Sequence, residues 1–281
     1  MSLAKSSRSL RKLPPGFETR ADARNRRDVM VKQLLPGERH QRQVGRALKR
    51  CRAKAPCKTP ICPRCVRRLR KSFVWGALNC IDHVRDKCQL KQCPITAFSA
   101  VLTEEQYAVG DLVSADWHRI NERLQRRHQR CHLPLVFAGV DLSFNTPFGR
   151  NKQQYWQFQV YGIAVGLDPD KTRATLEPLY PASPNTPRPL RVRKCSNLAK
   201  ALSYVIKPYF SERVNYRDAT GRMNTRTVRL KPDQIRELAP WICRYPLTER
   251  YVLTGARRYS DRIEVHLSTL KKLTNLAFPE N

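Results

Sequence analysis

The chain has 281 residues, which is enough for one large or two modest domains with a buried core. Lys and Arg number 54 against 23 Asp and Glu, so the net charge is +31 and the pI is about 10.4. This excess repels itself in a compact chain and attracts phosphate backbones, so nucleic acid is the expected partner. The absence of a long apolar run and of a lipidation signal argues against a membrane protein.

Ten cysteines accompany this basic composition. The N-terminal stretch MSLAKSSRSLRKLPPGF lacks the apolar core of a secretory signal, so we expect a cytoplasmic location. In a reducing compartment, clustered cysteines favour a metal site over disulfide bonds.

Residues 1–50 are rich in Arg and Lys and show little apolar periodicity. Breaks at Pro14-Pro15 and at Pro36-Gly37 interrupt them. This pattern predicts a basic, partly disordered and partly helical lead-in to the folded part of the chain.

Residues 51–92 predict a Cys-rich knuckle followed by a basic helix. The spacing C-x5-C-x4-C-x2-C ends in a tight C-P-x-C turn, and four thiolates in tetrahedral reach suit structural zinc. The predicted zinc ligands are Cys51, Cys57, Cys62 and Cys65. Buried free thiols are the competing interpretation, and the alternative ligands are His40, Cys80, Cys88 and Cys93.

An amphipathic helix is predicted from Val66 to Val84, because apolar residues recur there every three or four positions. Its outer face is strongly basic, which indicates either contact with a nucleic-acid backbone or a solvated surface. The predicted contact residues on this face are Arg67, Arg68, Arg70 and Lys71.

Residues 93–210 begin with a short strand, Ile95 to Thr103, and a helix whose core stripe includes Trp117. The central feature is a hairpin in which both arms alternate apolar and polar side chains. Asp141, Ser143 and Asn145 share one face of the first arm, and Gln157, Gln159 and Tyr161 share one face of the second. A polar cluster on a rigid sheet suits a metal or a phosphate; a solvated outer face is the alternative.

A Pro-rich connection over residues 167–195, with an edge strand at its end, leads to a short helix that carries Tyr204. Lys200 and Lys207 lie four residues before and three residues after this tyrosine, so two ammonium groups are predicted to flank the phenol. Nearby positive charge favours the phenolate and holds a phosphate diester against it. The alternative is an ordinary half-exposed tyrosine on a helix.

Residues 211–281 predict a basic C-terminal extension, either appended or packed as the outer layer of the same domain.

Together these elements predict an α+β fold. We expect an antiparallel sheet of about five strands with helices on one face and the polar site on the other, preceded by the zinc knuckle.

The order of these elements resembles the rolling-circle replication initiators of bacterial plasmids, which belong to the His-hydrophobic-His endonuclease superfamily. The resemblance runs from Cys51 to Phe210, and residues 93–210 correspond to the nuclease domain. Four blocks carry it: CPRCVRRLRKSF, ITAFSAVLT with the Trp117 helix, GVDLSFN, and Tyr204-Val205-Ile206-Lys207.

The resemblance implies nicking of one DNA strand at an origin. Tyr204 would attack the phosphodiester, form a 5'-phosphotyrosyl intermediate and leave a 3'-hydroxyl, while Lys207 orients the phosphate. A Mg²⁺ or Mn²⁺ ion would polarise the phosphate, held by Gln159 and Tyr161 with Asp141 supplying negative charge. The implied partners are single-stranded or origin DNA, contacted by Lys200 among others, and host replication proteins.

One block departs from the superfamily. The segment WQFQVYGIAVG has Gln159, Val160 and Tyr161 where members have two histidines around a hydrophobic residue. Gln offers a carbonyl oxygen to a hard cation, but a protonated Tyr is a poor ligand. Three hypotheses therefore stand: a tyrosine nickase, a non-catalytic DNA-binding protein on the same fold, and a zinc-containing RNA-binding protein.

Overall fold

The computed structural model describes residues 13–14, 16–88, 93–131, 133–149, 153–184, 186–259 and 262–277. The helices in this part of the chain are α1 (Arg20–Leu34), α2 (Arg39–Arg50), α3 (Pro63–Lys87), α4 (Trp117–Arg130), α5 (Pro169–Leu176), α6 (Leu198–Val205), α7 (Pro232–Ile242) and α8 (Leu267–Ala277). The strands are β1 (Ile95–Ala108), β2 (Leu135–Thr146), β3 (Tyr155–Val165), β4 (Leu190–Lys194), β5 (Ser211–Arg217), β6 (Met223–Arg229), β7 (Tyr251–Thr254), β8 (Ala256–Arg258) and β9 (Ile263–Val265). None of the described helices has the length and apolar character needed to cross a membrane.

The strands form one large sheet and one small ribbon. The large sheet has seven strands within the described ranges, in the order β4-β1-β3-β2-β5-β6, and β7 also pairs with β2. The β2–β5 pair is parallel, and the other pairs are antiparallel. The α+β class is confirmed. The sheet exceeds the expected five strands because segments after residue 210 join it.

The predicted hairpin is the centre of this sheet. β2 and β3 pair along their whole length, and Asp141 lies directly opposite Gln159. The register places Val140, Leu142 and Phe158 on one face, where all three are buried in the main core. This is the outcome of the period-two pattern, because one face of an alternating strand is apolar and packs inward.

Helices cover both faces of the sheet rather than one. On the first face, α1, α2, α4 and α7 contribute buried residues to the main core. On the second face, α3 and α6 pack against the end of the hairpin where Phe137, Ile163 and Val165 are apolar. The other half of the second face stays uncovered by these helices, and it carries the polar residues of the hairpin.

The lead-in predicted for residues 1–50 is, from residue 20 onward, two helices packed on the core. A capping box between Thr19 and Asp22 starts α1, which buries Val31 and Leu34. α2 buries Val44 and Leu48 in the same core. The sparse apolar residues fall on one narrow stripe, and the many charged residues around them concealed it. Residues 1–12 lie outside the described part of the chain.

Residues after 210 are not an appended extension. β5 and β7 both pair with β2, the central strand, and α7 buries Leu238 and Ile242 in the main core. The last quarter of the chain therefore completes the same domain, and β6 forms one edge of the sheet.

Gly139 of β2 lies where α6 meets the sheet. A Cβ atom at this position would lie 1.8 Å from the carbonyl oxygen of Val205, the last residue of α6. The helix backbone thus rests directly on the strand, which sets the height of the Tyr204 side chain above the sheet.

We expect Gly139→Ala to displace α6 and to destabilise the fold by about 1–3 kcal/mol, because the obstructing atom belongs to the backbone. The midpoint of thermal unfolding measures this loss. Gly37→Ala is the matched control, since the nearest atom to its new Cβ is the end of the flexible Gln41 side chain. Equal midpoints for the two variants would contradict the close contact.

Candidate functional site

A cluster of four cysteines joins α2 to α3. Cys51 ends α2, Cys57 lies in the connecting loop, and Cys62 and Cys65 lie at the start of α3. The four sulfur atoms all lie within 4.8 Å of one another, and three pairs are separated by 3.7 Å. Zn–S bonds of about 2.3 Å in a tetrahedron place sulfurs about 3.8 Å apart. The predicted knuckle therefore has the geometry to hold a metal such as zinc.

The crowding of these thiols changes their acidity. Hydrogen bonding with Cys57 raises the pKa of Cys65 to about 12 and also raises the pKa of Cys62, while the pKa of Cys57 is lowered by hydrogen bonds with Cys62 and Cys65. One thiolate is thus stabilised at the expense of its neighbours. A divalent cation removes this competition because it binds several thiolates at once.

The alternative ligands lie elsewhere. His40 is exposed on α2, and Cys80, Cys88 and Cys93 are buried in the second core. Burial raises the pKa of the Cys80 thiol to about 12. Among the described residues, the four-cysteine cluster is the only arrangement of Cys, His and acidic side chains suited to a metal ion.

Replacing Cys62 and Cys65 together by Ser is expected to release bound zinc and to lower the unfolding midpoint by about 10 °C or more, because the knuckle connects α2 and α3 to the core. Metal analysis of the purified protein and thermal unfolding provide the two readouts. Cys195→Ser, at a half-buried cysteine outside the cluster, is the control. Unchanged zinc content in the double variant would show that the cluster is not the metal site.

The second feature is a groove of about 570 Å³ on the uncovered half of the second sheet face, which we call the polar groove. Its floor comes from the hairpin, and Tyr204 of α6 lines one side. Arg191 and Arg193 of β4 lie at one end, and Arg213 of β5 lies at the other. The groove therefore carries positive charge at both ends and neutral polar groups between them.

Strand register explains why the arginines share this face. Arg191 pairs with Ser99 on β1, and Ser99 pairs with Tyr161 on β3. At the other end, Arg213 pairs with Asn145 of β2. Directly paired residues point to the same side of a sheet. The arginines at both ends of the groove therefore lie on the face that carries the polar residues of the hairpin.

The polar side chains on the floor of the groove hydrogen-bond to one another. The Tyr161 hydroxyl donates to Oε1 of Gln159 over 2.7 Å, and Nε2 of Gln159 donates to Oγ of Ser143 over 2.6 Å. The amide of Gln157 donates to the carbonyl of Leu102 over 2.6 Å, where β1 bulges away from β3. The floor is therefore rigid and its amides are already paired.

Asp141 forms an ion pair with Lys207 beneath the groove. Nζ of Lys207 lies 2.8 Å from Oδ2 of Asp141 and 4.4 Å from the centre of the Tyr161 ring. Burial opposes the charge on Lys207, but Asp141 and the neighbouring tyrosines outweigh it and raise the pKa of Lys207 above its ordinary value. The lysine therefore stays charged throughout the neutral range.

The predicted Mg²⁺ or Mn²⁺ site at Asp141, Gln159 and Tyr161 does not fit a divalent cation, although the three side chains share one face as expected. Asp141 is 1 % exposed, and the Lys207 ammonium already occupies the space beside its carboxylate. Burial raises the pKa of Tyr161, so its hydroxyl is neutral and a weak ligand. A cation bound there would lie against an ammonium group.

Tyr204 is an exposed tyrosine at the side of the groove. Its side chain is 53 % exposed, and its ring packs edge-on against Tyr161 with 5.1 Å between centroids. Nζ of Lys207 lies 5.8 Å from the centre of the Tyr204 ring, while Lys200 is exposed one turn earlier. Because α6 ends at Val205, Lys207 reaches this position from extended backbone rather than from the helix.

The basic face predicted on α3 needs one correction. Arg68 and Lys71 are exposed, and Arg67 is half-buried, but Arg70 is buried in an ion pair with Glu18. Nη2 of Arg70 also donates to the carbonyl of Ser203 over 2.7 Å. The reason is its spacing: it lies four residues after Val66, on the buried stripe of the helix. Arg70 therefore holds α3 against α6 and is not available to nucleic acid.

Two sets of residues near these polar groups are not predicted by the sequence patterns. The groove arginines of β4 had a signal, because the alternation in LRVRK places Arg191 and Arg193 on the same face. Arg250, which is fully buried beside Asp141, had none, because nothing in its local pattern distinguishes it from the other arginines.

Comparison with known proteins gives no relative for this chain: no family model, no curated protein and no solved structure matches it.

Removing the carboxylate of Asp141 leaves two buried cations, Lys207 and Arg250, without a counter-charge. We expect Asp141→Asn to destabilise the protein by about 3–5 kcal/mol, and we expect the added substitution Lys207→Met to recover part of this loss. Urea unfolding measures both. If Asp141 were instead a cation ligand, Mg²⁺ or Mn²⁺ would stabilise the wild-type protein and the second substitution would recover nothing.

Proposed function

We propose that the protein binds single-stranded DNA along the polar groove. The observation that carries this proposal is the arrangement of arginines at both ends of a rigid floor lined with tyrosines and neutral amides. Guanidinium groups pair with phosphate oxygens, and exposed aromatic rings offer surfaces on which unpaired bases stack. The net charge of +31 strengthens the attraction at long range.

The size of the groove suits a short stretch of strand. Between β4 and β5 the sheet crosses four strand spacings, each of about 4.8 Å, which gives a span of about 19 Å. A duplex is too wide and too stiff to lie on such a floor beneath α6, whereas a single strand can follow it. Sites of this kind on sheets take about four nucleotides or more.

Tyr204 is the proposed nucleophile, which accords with the resemblance of the Tyr204-x-x-Lys207 block to the rolling-circle initiators. The tyrosine oxygen bonds to phosphorus as the bond from phosphorus to the 3' oxygen breaks. The products are a 5'-phosphotyrosyl bond and a 3'-hydroxyl, and the phenol proton passes to water while the leaving oxygen takes a proton. The groove arginines supply positive charge next to the phosphate, and the Lys207 ammonium lies 5.8 Å from the centre of the Tyr204 ring.

The Lys207–Asp141 ion pair also supports a second function. This pair occupies the position at which the resemblance implies a metal ion, so the chain fits a DNA-binding protein that recognises an origin without cutting it. Such a protein needs the groove arginines but not the hydroxyl of Tyr204. The two functions therefore differ in whether they require the Tyr204 hydroxyl.

The deciding experiment incubates the purified protein with labelled single-stranded DNA, including the DNA that flanks its own gene, with and without added Mn²⁺. A denaturing gel then shows whether DNA stays covalently attached. We expect an adduct that Tyr204→Phe abolishes, because only the phenol oxygen is removed. Tyr216→Phe is the control, since Tyr216 is an exposed tyrosine that does not line the groove.

Binding is measured in parallel under native conditions. Replacing Arg191 and Arg193 by Gln should weaken binding to single-stranded DNA about tenfold or more and reduce the salt slope by about 0.7 for each lost phosphate contact. Arg46→Gln, on the exposed side of α2, is the control. Binding without an adduct would establish the non-catalytic function. Tighter binding of structured RNA than of any DNA would overturn both DNA functions.

A further inference from the structure

A second cavity has a volume of about 440 Å³ and is separate from the polar groove. It is enclosed by α1, the end of β6, the segment before β5 and the start of α7. The volume is in the range of sites that bind small molecules, about 300–1,000 Å³. None of its lining residues takes part in the groove described above.

The floor of this cavity is Arg250, which fills a gap in the sheet. β7 pairs with residues 136–139 of β2 and β5 pairs with residues 143–146, so the stretch between them has no strand on that edge. The Arg250 guanidinium lies there, 4.4 Å above the Phe210 ring. Only 1 % of Arg250 is exposed. Its Nη1 donates to the carbonyl of Pro60 over 3.5 Å, while its Nε and Nη2 atoms have no hydrogen-bond partner among the described residues.

The charges around Arg250 do not balance. Its Nη2 lies 3.9 Å from Oδ1 of Asp141, but the same carboxylate already pairs with Lys207 at 2.8 Å. Two cations therefore share one carboxylate. Burial lowers the pKa of Arg250 to about 10, yet the guanidinium remains charged at neutral pH. A buried charge without a full counter-charge is costly, so an anion at this position would be bound favourably.

The rest of the cavity suits a flat ring with a hydrogen-bond donor. Gln33 lines the cavity, and its buried Oε1 has no hydrogen-bond partner in the described part of the chain, so this oxygen has the capacity to accept a hydrogen bond. Val29, Met30 and Ile61 provide apolar walls. Near the more exposed side, the Arg26 guanidinium stacks on the Tyr209 ring at 4.1 Å, which shows that this wall accepts planar groups.

We propose that this cavity binds a nucleotide, with its phosphate at Arg250 and its base against the apolar wall and Tyr209. The two guanidinium nitrogens without a hydrogen-bond partner, the Gln33 oxygen without one and the apolar wall match the three parts of such a ligand: an anion, a donor and a flat ring. The nucleotide is either a free mononucleotide or one nucleotide of a bound strand. This site does not depend on nicking, because Tyr204 is not part of it.

The test uses the full-length, zinc-loaded protein and isothermal titration calorimetry with AMP, GMP, CMP and UMP in turn. At least one of them is expected to bind, and Gln33→Leu and Arg26→Gln should each weaken that binding about tenfold. Arg250→Lys should weaken it further while keeping a buried positive charge, and thermal unfolding checks that this variant folds. Arg46→Gln, on the exposed side of α2, should bind like the wild-type protein.

Inorganic phosphate and adenosine are titrated as the two halves of the ligand. Weaker binding of each half than of the best nucleotide supports the proposal. Phosphate binding as tight as nucleotide binding would overturn it in favour of a simple anion site, and so would nucleotide binding that Gln33→Leu and Arg26→Gln leave unchanged. The lack of binding by every nucleotide would overturn it outright. Displacement of the mononucleotide by a short oligonucleotide identifies a nucleotide of the strand as the occupant, and its retention identifies a free nucleotide.

Discussion

The ion pair between Asp141 and Lys207 is the interaction on which both polar sites of this protein depend. On one side it holds the Lys207 ammonium close to the rings of Tyr161 and Tyr204, where the resemblance implies a metal ion. On the other side, Arg250 approaches the same Asp141 carboxylate, whose negative charge Lys207 already largely balances. One buried acid thus sets the electrostatics of the groove and of the cavity together.

The central architecture could be predicted from the sequence because it follows from local periodicity. Alternation in the hairpin was sufficient to place Asp141, Gln159 and Tyr161 on one face, and cysteine spacing was sufficient to identify the knuckle. What alternation cannot show is which charged group from a distant segment will approach that face. The spacing of Lys200, Tyr204 and Lys207 predicts one helix for all three, but α6 ends at Val205 and the Lys207 side chain reaches Asp141.

The errors have a common physical origin in the basic composition. When most surface positions carry Arg or Lys, an arginine that belongs to the core looks like its neighbours, as Arg70 and Arg250 do. The same background concealed the apolar stripes of α1 and α2, and it made the residues after 210 resemble a tail although β5 and β7 complete the sheet. A long, flexible side chain with a charged end can be buried wherever a carboxylate or a carbonyl receives it.

The outer strand β6 has a consequence for how this protein behaves in concentrated solution. Its outer edge has no strand partner in the described sheet, and nearly all of its side chains are exposed. Arg226 and Arg229 lie along it, so two copies that approach edge to edge bring like charges together, which opposes strand pairing between molecules. This protection is electrostatic, and it therefore weakens whenever a polyanion or high salt neutralises the strand.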